Sequence, residues 1–195
     1  KDFSLIALTV SLLNVLVVNS SVQANSVREL IALAKARPGV LNYGSGITGS
    51  STHLAGALFT SMAGVNIERV SYKSTGPTIT GLLSGELQLV FASAGNAAPH
   101  VKSGKLRALA VLSAQPSALA PGLPTLSATL PGYEFETRFG IMAPAKTPAA
   151  LITRLNREIV RVLNGAEVKE RILSAGAEVI GSTPEQFTST MKSEM

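Results

Sequence analysis

At 195 residues and 20.2 kDa, with 46% apolar, 15% charged and 5% aromatic residues, the chain has room for one large or two small folded domains, and disorder is excluded as its general state. It has no cysteine, which rules out disulfides, thiolate nucleophiles and cysteine-based zinc or iron–sulfur sites. The net charge of +5 comes from Lys and Arg scattered singly along the chain, which is no nucleic-acid footprint and suits a protein that meets small anions or an anionic surface.

The sequence begins at Lys1 rather than Met, and an apolar run follows at once. Leu5 to Val18 (LIALTVSLLNVLVV) has 14 residues and holds Thr9, Ser11 and Asn14, so it is too short to span a bilayer. Val22-Gln23-Ala24 is a poor signal-peptide cleavage pattern. The β-branched content of the run predicts two consecutive strands of a buried sheet. Ser26-Val27-Arg28-Glu29 has capping-box spacing and opens a helix that Pro38-Gly39 stops. Three units of strand, Gly/Ser/Thr-rich loop and helix follow. The first has a strand at Val40–Tyr43 and a helix at Thr52–Ala63. The second has a strand at Ile67–Tyr72, the loop Lys73–Thr78 and a helix at Thr78–Leu83. The third has a strand at Leu87–Phe91, the loop Ala92–Asn96 and a helix toward Val101. Leu106–Leu112 closes the series as an apolar strand.

This alternation predicts an α/β unit over residues 14–113, with a mostly parallel sheet covered on both faces. Four prolines punctuate 113–131, which reads as a linker or surface crossing. Tyr133–Met142 alternates like a strand, and Thr147 is expected to cap an amphipathic helix with Pro148 at its first position. A helix over Ala166–Ser174, a short strand at Glu178–Ile180 and a helix opened by the capping box Thr183-Pro184-Glu185-Gln186 complete the chain. The C-terminal part has too little sheet for an independent α/β core. Together with the missing Met, this leads to the expectation that the chain is the later part of a longer two-domain protein.

Candidate chemistry is sparse. His53 and His100 have no His, Cys or acidic neighbour at metal-ligand spacing, so no metal site and no cofactor are expected. Gly-x-Ser-x-Gly does not occur, and a hydrolase built on Ser50 or Ser51 with His53 lacks an acid to orient the histidine. Gly44-Ser45-Gly46-Ile47-Thr48-Gly49 matches GxGxxG literally. The acidic residue a dinucleotide site wants about 20 residues further on is replaced by Ser71-Tyr72-Lys73. What the residues do supply is three glycine-, serine- and threonine-rich connections that right-handed crossovers bring to one sheet edge, each leading into a helix N-terminus. Helix N-termini present unpaired N–H groups and partial positive charge, which suits a small anion and performs no chemistry. Each connection taken singly is also an ordinary βα loop.

The string LNYGSGITGSSTHLAGALFTSMAGVNIERVSYKSTGPTITGLLSGELQLVF at 41–91 resembles the Bug family, the TctC-like extracytoplasmic solute receptors of tripartite tricarboxylate transporters. HVKSGKLRALAVLSAQ at 100–115, LPGYEFETRFGIMAPAKTP at 130–148 and GAEVIGSTPEQF at 176–187 extend the likeness over nearly the whole chain. The resemblance implies a type II periplasmic-binding-protein fold: two lobes joined by crossover strands, with 14–113 as most of the second and 1–13 with 114–195 as an incomplete first. It implies a monomeric, non-enzymatic periplasmic receptor that captures a small carboxylate (a di- or tricarboxylate, an acidic amino acid or an aromatic acid) and delivers it to membrane permease subunits. The implied ligand site is Ser45, Gly46, Thr48, Ser50, Ser51, Thr52 and His53, with Gly76 and Thr78, Ser93, and Phe139. The chain departs from the family pattern in three places. The upstream glycine-rich loop of the first lobe has no counterpart, Ala92-Ser93 stands where an acidic-amide pair is usual, and Arg138 stands where an aromatic precedes Phe139. The alternative reading is a truncated or degenerate member acting as an interaction module through Tyr43 and the sheet edge.

Overall fold

The apolar run that opens the chain divides at Leu13, and its two strands enter different sheets. In a computed structural model, which describes residues 2–193, β1 (Phe3–Leu12) is the middle strand of a three-stranded sheet and β2 (Asn14–Asn19) belongs to a five-stranded one. One buried sheet was expected to hold both. Each half of the run finds its own partners, so the chain forms two compact units, residues 13–136 and residues 2–12 with 137–193.

The larger unit follows the predicted alternation. Its elements are α1 (Val27–Ala36), β3 (Asn42–Ser45), α2 (Ser51–Ala63), β4 (Glu68–Ser71), α3 (Thr75–Ser84), β5 (Leu89–Ser93), α4 (Ala94–Lys102) and β6 (Leu106–Val111). The sheet order is β4-β3-β5-β2-β6, with β3 parallel to both β4 and β5, whereas β2 runs antiparallel to β5 and β6. The sheet is therefore mixed, because a chain that arrives from the other unit can enter the sheet in the opposite sense. All six residues of β2 are buried, as a strand covered on both faces requires. The two-residue strand period sorts them: Leu16 and Val18 pack with α1, α2, Leu89 and Phe91, while Val15 and Val17 pack with α3, α4 and Val90.

Capping chemistry sets the helix starts. Ser26 Oγ accepts from Glu29 N, and the Glu29 carboxylate reaches back to the N–H of Asn25, one residue before the expected partner. The connection expected at Ala92–Asn96 does not form a loop: β5 runs to Ser93 and α4 begins at the next residue. The punctuated segment after β6 packs on this same unit. Val111 N donates to Pro124 O and Phe135 N to Leu112 O, while Leu126 and Tyr133 are fully buried in the α1–α2 face. The Tyr133 hydroxyl donates to Ala55 O of α2 at 3.0 Å.

In the smaller unit, β1 pairs antiparallel with β7 (Thr137–Pro144) and with β8 (Ala177–Val179), and the helices are α5 (Ala149–Leu163), α6 (Ala166–Ser174) and α7 (Pro184–Ser193). Asn156 of α5 donates to both Ile6 O and Ser182 O at 2.8 Å, and Ser182 Oγ accepts from Leu8 N, which ties helix, strand and loop together. The Thr183 box forms as read, with Gln186 Oε1 accepting from Thr183 N and Thr183 Oγ1 from Gln186 N. Thr147 does not cap α5. Its hydroxyl turns back to Pro144 O, and Pro148 takes the cap position, with its ring-fixed φ and no side-chain capping bond. Although α5 is amphipathic, Leu151 and Val162 are about half exposed, as are Phe139 on β7 and Leu173 on α6.

Burial raises the phenol of Tyr133 above its ordinary value of 10.0, and burial raises that of Tyr43 likewise, against a smaller opposing effect of Arg69. A group raised in the folded state contributes its full stability below its unfolded value and loses it as pH rises through and beyond that value. Urea midpoints are therefore expected to fall between about pH 9 and about pH 11. Tyr133→Phe should cost about 1 kcal/mol at neutral pH through the lost bond to Ala55 and flatten part of that alkaline fall.

Candidate functional site

β3, β4 and β5 end in serine, at Ser45, Ser71 and Ser93, and their parallel order puts all three at one edge of the sheet. From that edge the chain enters α2, α3 and α4. Glycines allow the close packing beneath it. A Cβ on Gly44 would lie 2.3 Å from Leu87 Cδ1 and 2.7 Å from Thr78 Cγ2, and one on Gly56 would lie 2.3 Å from the Tyr43 ring.

The connection from β3 to α2 is held from within. Gly46 N donates to Thr52 Oγ1 at 2.9 Å, Ser50 Oγ lies 3.3 Å from Thr52 Oγ1 and caps His53 N, and Gly49 N donates to His53 Nδ1 at 3.1 Å. His53 is thus a loop brace whose Nδ1 serves as an acceptor, and its ring makes no bond to Ser50 or Ser51. Ser45 is fully buried, donating to Gly46 O at 3.1 Å and accepting from Arg69 Nε at 2.7 Å. Arg69 Nη1 reaches Thr48 Oγ1 at 3.2 Å. Of the expected residues in this loop, Ser45 and Thr48 spend their hydroxyls on Arg69, while exposed Ser51 and half-buried Thr52 start α2 with N–H groups that a helix leaves without intrahelical acceptors.

Gly76 and Thr78 lie inside the first turn of α3 rather than in a loop before it. Thr78 is buried and donates to Ser74 O at 2.9 Å, whereas Thr75, Gly76 and Pro77 of the same turn are exposed, and a Cβ on Gly76 would meet open space. Ser74 and Ser93 are the cap residues of α3 and α4, and neither hydroxyl makes a capping bond. The first helical N–H of α4, at Ala94, donates to Leu13 O at 2.8 Å. Phe139 lies in the other unit on β7, 49% exposed.

None of α2, α3 and α4 has an acidic residue in its first turn, nor does α5 of the smaller unit, whereas α1, α6 and α7 carry Glu29, Glu167 and Glu185 there. An acid at a helix start is stabilising by about 0.3 to 1 kcal/mol, so its absence at the starts of α2, α3 and α4 leaves the partial positive charge uncompensated. Sequence reading missed Arg69 and the cap role of Ser74. The signal for Arg69 was a cation interrupting the strand whose parallel neighbour carries the glycine loop, opposite Tyr43 in register. Among the described residues no group of His, Asp and Glu could hold a metal ion, and no helix is long and apolar enough to cross a membrane.

An α/β architecture of this kind is that of periplasmic binding proteins. Residues 1–194 match the family described as "Tripartite tricarboxylate transporter family receptor", and the chain belongs to that family, which is one of solute receptors and not of enzymes. It is 32% identical over its whole length to the "UPF0065 protein in tcbD-tcbE intergenic region" of Pseudomonas sp. strain P51 and 35% identical over 88% of its length to Protein BugT of Bordetella pertussis, spanning 58% and 53% of those proteins. Among solved structures, an R. palustris protein with adipate matches with TM-score 0.90 and 32% identity, and the periplasmic binding protein BugD with TM-score 0.88 and 27% identity. The chain covers 100% and 98% of itself in these two matches and 65% of each solved chain.

Gly56→Ala is expected to destabilise the larger unit by about 1 to 3 kcal/mol, because the methyl overlaps the buried Tyr43 ring. Gly76→Ala, with open space for its Cβ, should change the urea midpoint little; equal effects of the two would contradict the packing described.

Proposed function

We propose that this chain is the greater part of an extracytoplasmic, periplasmic receptor that binds a small carboxylate at the carboxyl edge of β3, β4 and β5 and hands it to a membrane permease. Residues 13–136, rather than 14–113 alone, supply most of one lobe, and 2–12 with 137–193 belong to the other. The observation that carries the reading is the set of three helix starts at one sheet edge, all without acidic residues and each with a serine at its cap position, Ser50, Ser74 or Ser93. The first-turn N–H groups of Ser51, Thr52 and Gly76 and the hydroxyls of Ser74 and Ser93 are the donors for the carboxylate. Ser45, Thr48, Ser50, Thr52 and His53 shape the loop, and Thr78 holds the turn behind Gly76. Adipate, named with a relative at 32% identity, has this chemistry: two carboxylates on an apolar spacer. The protein acts as a monomer without a cofactor. Tyr43, which the interaction-module alternative needs as a contact, is buried with 4% of its surface exposed.

Calorimetry against adipate and malate should show saturable binding of at least one. Gly76→Asp places a carboxylate in open space at the α3 start, where it stabilises the helix by a few tenths of a kcal/mol, roughly, and repels an incoming anion. The expected result is an unchanged or slightly raised Tm with dicarboxylate affinity lowered tenfold or more, roughly. Equal affinity in wild type and Gly76→Asp would contradict the assigned edge.

A further inference from the structure

Arg69 makes four hydrogen bonds to the β3–α2 connection and its surroundings, and every acceptor is neutral. Its Nε donates to Ser45 Oγ at 2.7 Å, Nη1 to Thr48 Oγ1 at 3.2 Å, and Nη2 to Gly46 O at 2.9 Å and Ser71 Oγ at 3.4 Å. The Ser71 hydroxyl also donates to Gly46 O, at 3.3 Å. Two points of one short loop, Gly46 and Thr48, are thus fixed by one planar group, with the final serines of two parallel strands as its anchors. A guanidinium carries five N–H groups in a rigid fork, a geometry that a lysine ammonium cannot copy. Ordinary βα loops carry no such staple, and a half-buried cation is normally balanced by a carboxylate. Among the described residues Arg69 has no acidic partner. The loop it holds ends at Ser50, the cap of α2, so the arginine governs where the first-turn N–H groups of that helix point.

We propose that Arg69 is a positioning residue for ligand capture: it holds the Gly46–Ser50 connection in the shape that presents the α2 start, and it leaves an unneutralised positive charge beside an anion's path. The proposal rests on the carboxylate reading only for what the loop is used for; the ordering of the loop stands separately.

The test compares wild type with Arg69→Met and Arg69→Lys by amide hydrogen exchange over Gly46–Ser51, adipate calorimetry and thermal melting. Arg69→Met is expected to speed loop exchange by an order of magnitude, roughly, and to weaken adipate binding about tenfold, with exchange in the sheet strands unchanged. Arg69→Lys keeps the charge without the fork, so its loop should exchange as fast as that of Arg69→Met while its adipate affinity lies between the two. Ser45→Ala serves if Arg69→Met does not fold: it removes the Nε acceptor, keeps the charge, and should speed exchange in the same loop. Wild-type exchange in the loop of whichever variant folds overturns the proposal, as does wild-type adipate affinity in Arg69→Met. If adipate and malate bind neither wild type nor variant, the carboxylate reading fails, and the exchange comparison still decides the loop-ordering claim.

Discussion

Ser45 pairs with Ser71 across β3 and β4, and Gly44 pairs with Val90 across β3 and β5, so three parallel strands stop together and three helices start from one edge. Everything proposed for the larger unit depends on that register. A shift of one residue in β3 would turn Tyr43 and Ser45 to the other face of the sheet and separate Ser45 from Arg69. The register is held by close backbone approach at Gly44, whose missing side chain lets Leu87 and Thr78 pack directly against the strand. On the opposite face, Tyr43 lies against Gly56 and edge-on to Phe91, with ring centroids 6.3 Å apart.

Upon this frame, polar side chains divide into those that shape the edge and those that face outward. Ser45, Thr48, Ser50, Thr52, His53 and Thr78 bond to neighbouring protein groups, so much of the hydroxyl content that makes these segments look like a ligand site in sequence is used internally. What remains directed outward is mostly backbone N–H at helix starts, which recognises charge and shape without recognising a particular carbon skeleton.

The elements most readable from sequence were those governed by local rules. The capping box at Thr183 forms, Ser26 caps its helix although Glu29 bonds one residue earlier at Asn25 N, and the helix at Ala166–Ser174 has the bounds its periodicity predicts. The departures come from tertiary context. The antiparallel sense of β2 is set by where the chain comes from and leaves no trace in a fully apolar strand. The proline-punctuated stretch 113–131 looked like a linker because it lacks periodicity, yet Leu126 anchors it in the core through a single burial that no period reveals. Arg69 escaped notice for a similar reason, since its role depends on a parallel neighbour 24 residues earlier in the chain. Family likeness supplied what residue patterns alone could not, an expectation of the kind of ligand.

The central claim is that an anion is held by the helix starts at the carboxyl edge of β3, β4 and β5. Amide chemical shifts followed during an adipate titration test it most directly. Saturable shifts concentrated at Ser51, Thr52 and Gly76, with the interior of β2 and β6 unmoved, are the predicted result. Saturable binding whose shifts fall elsewhere, or a folded protein whose amides at these helix starts do not respond to either adipate or malate, would contradict the account.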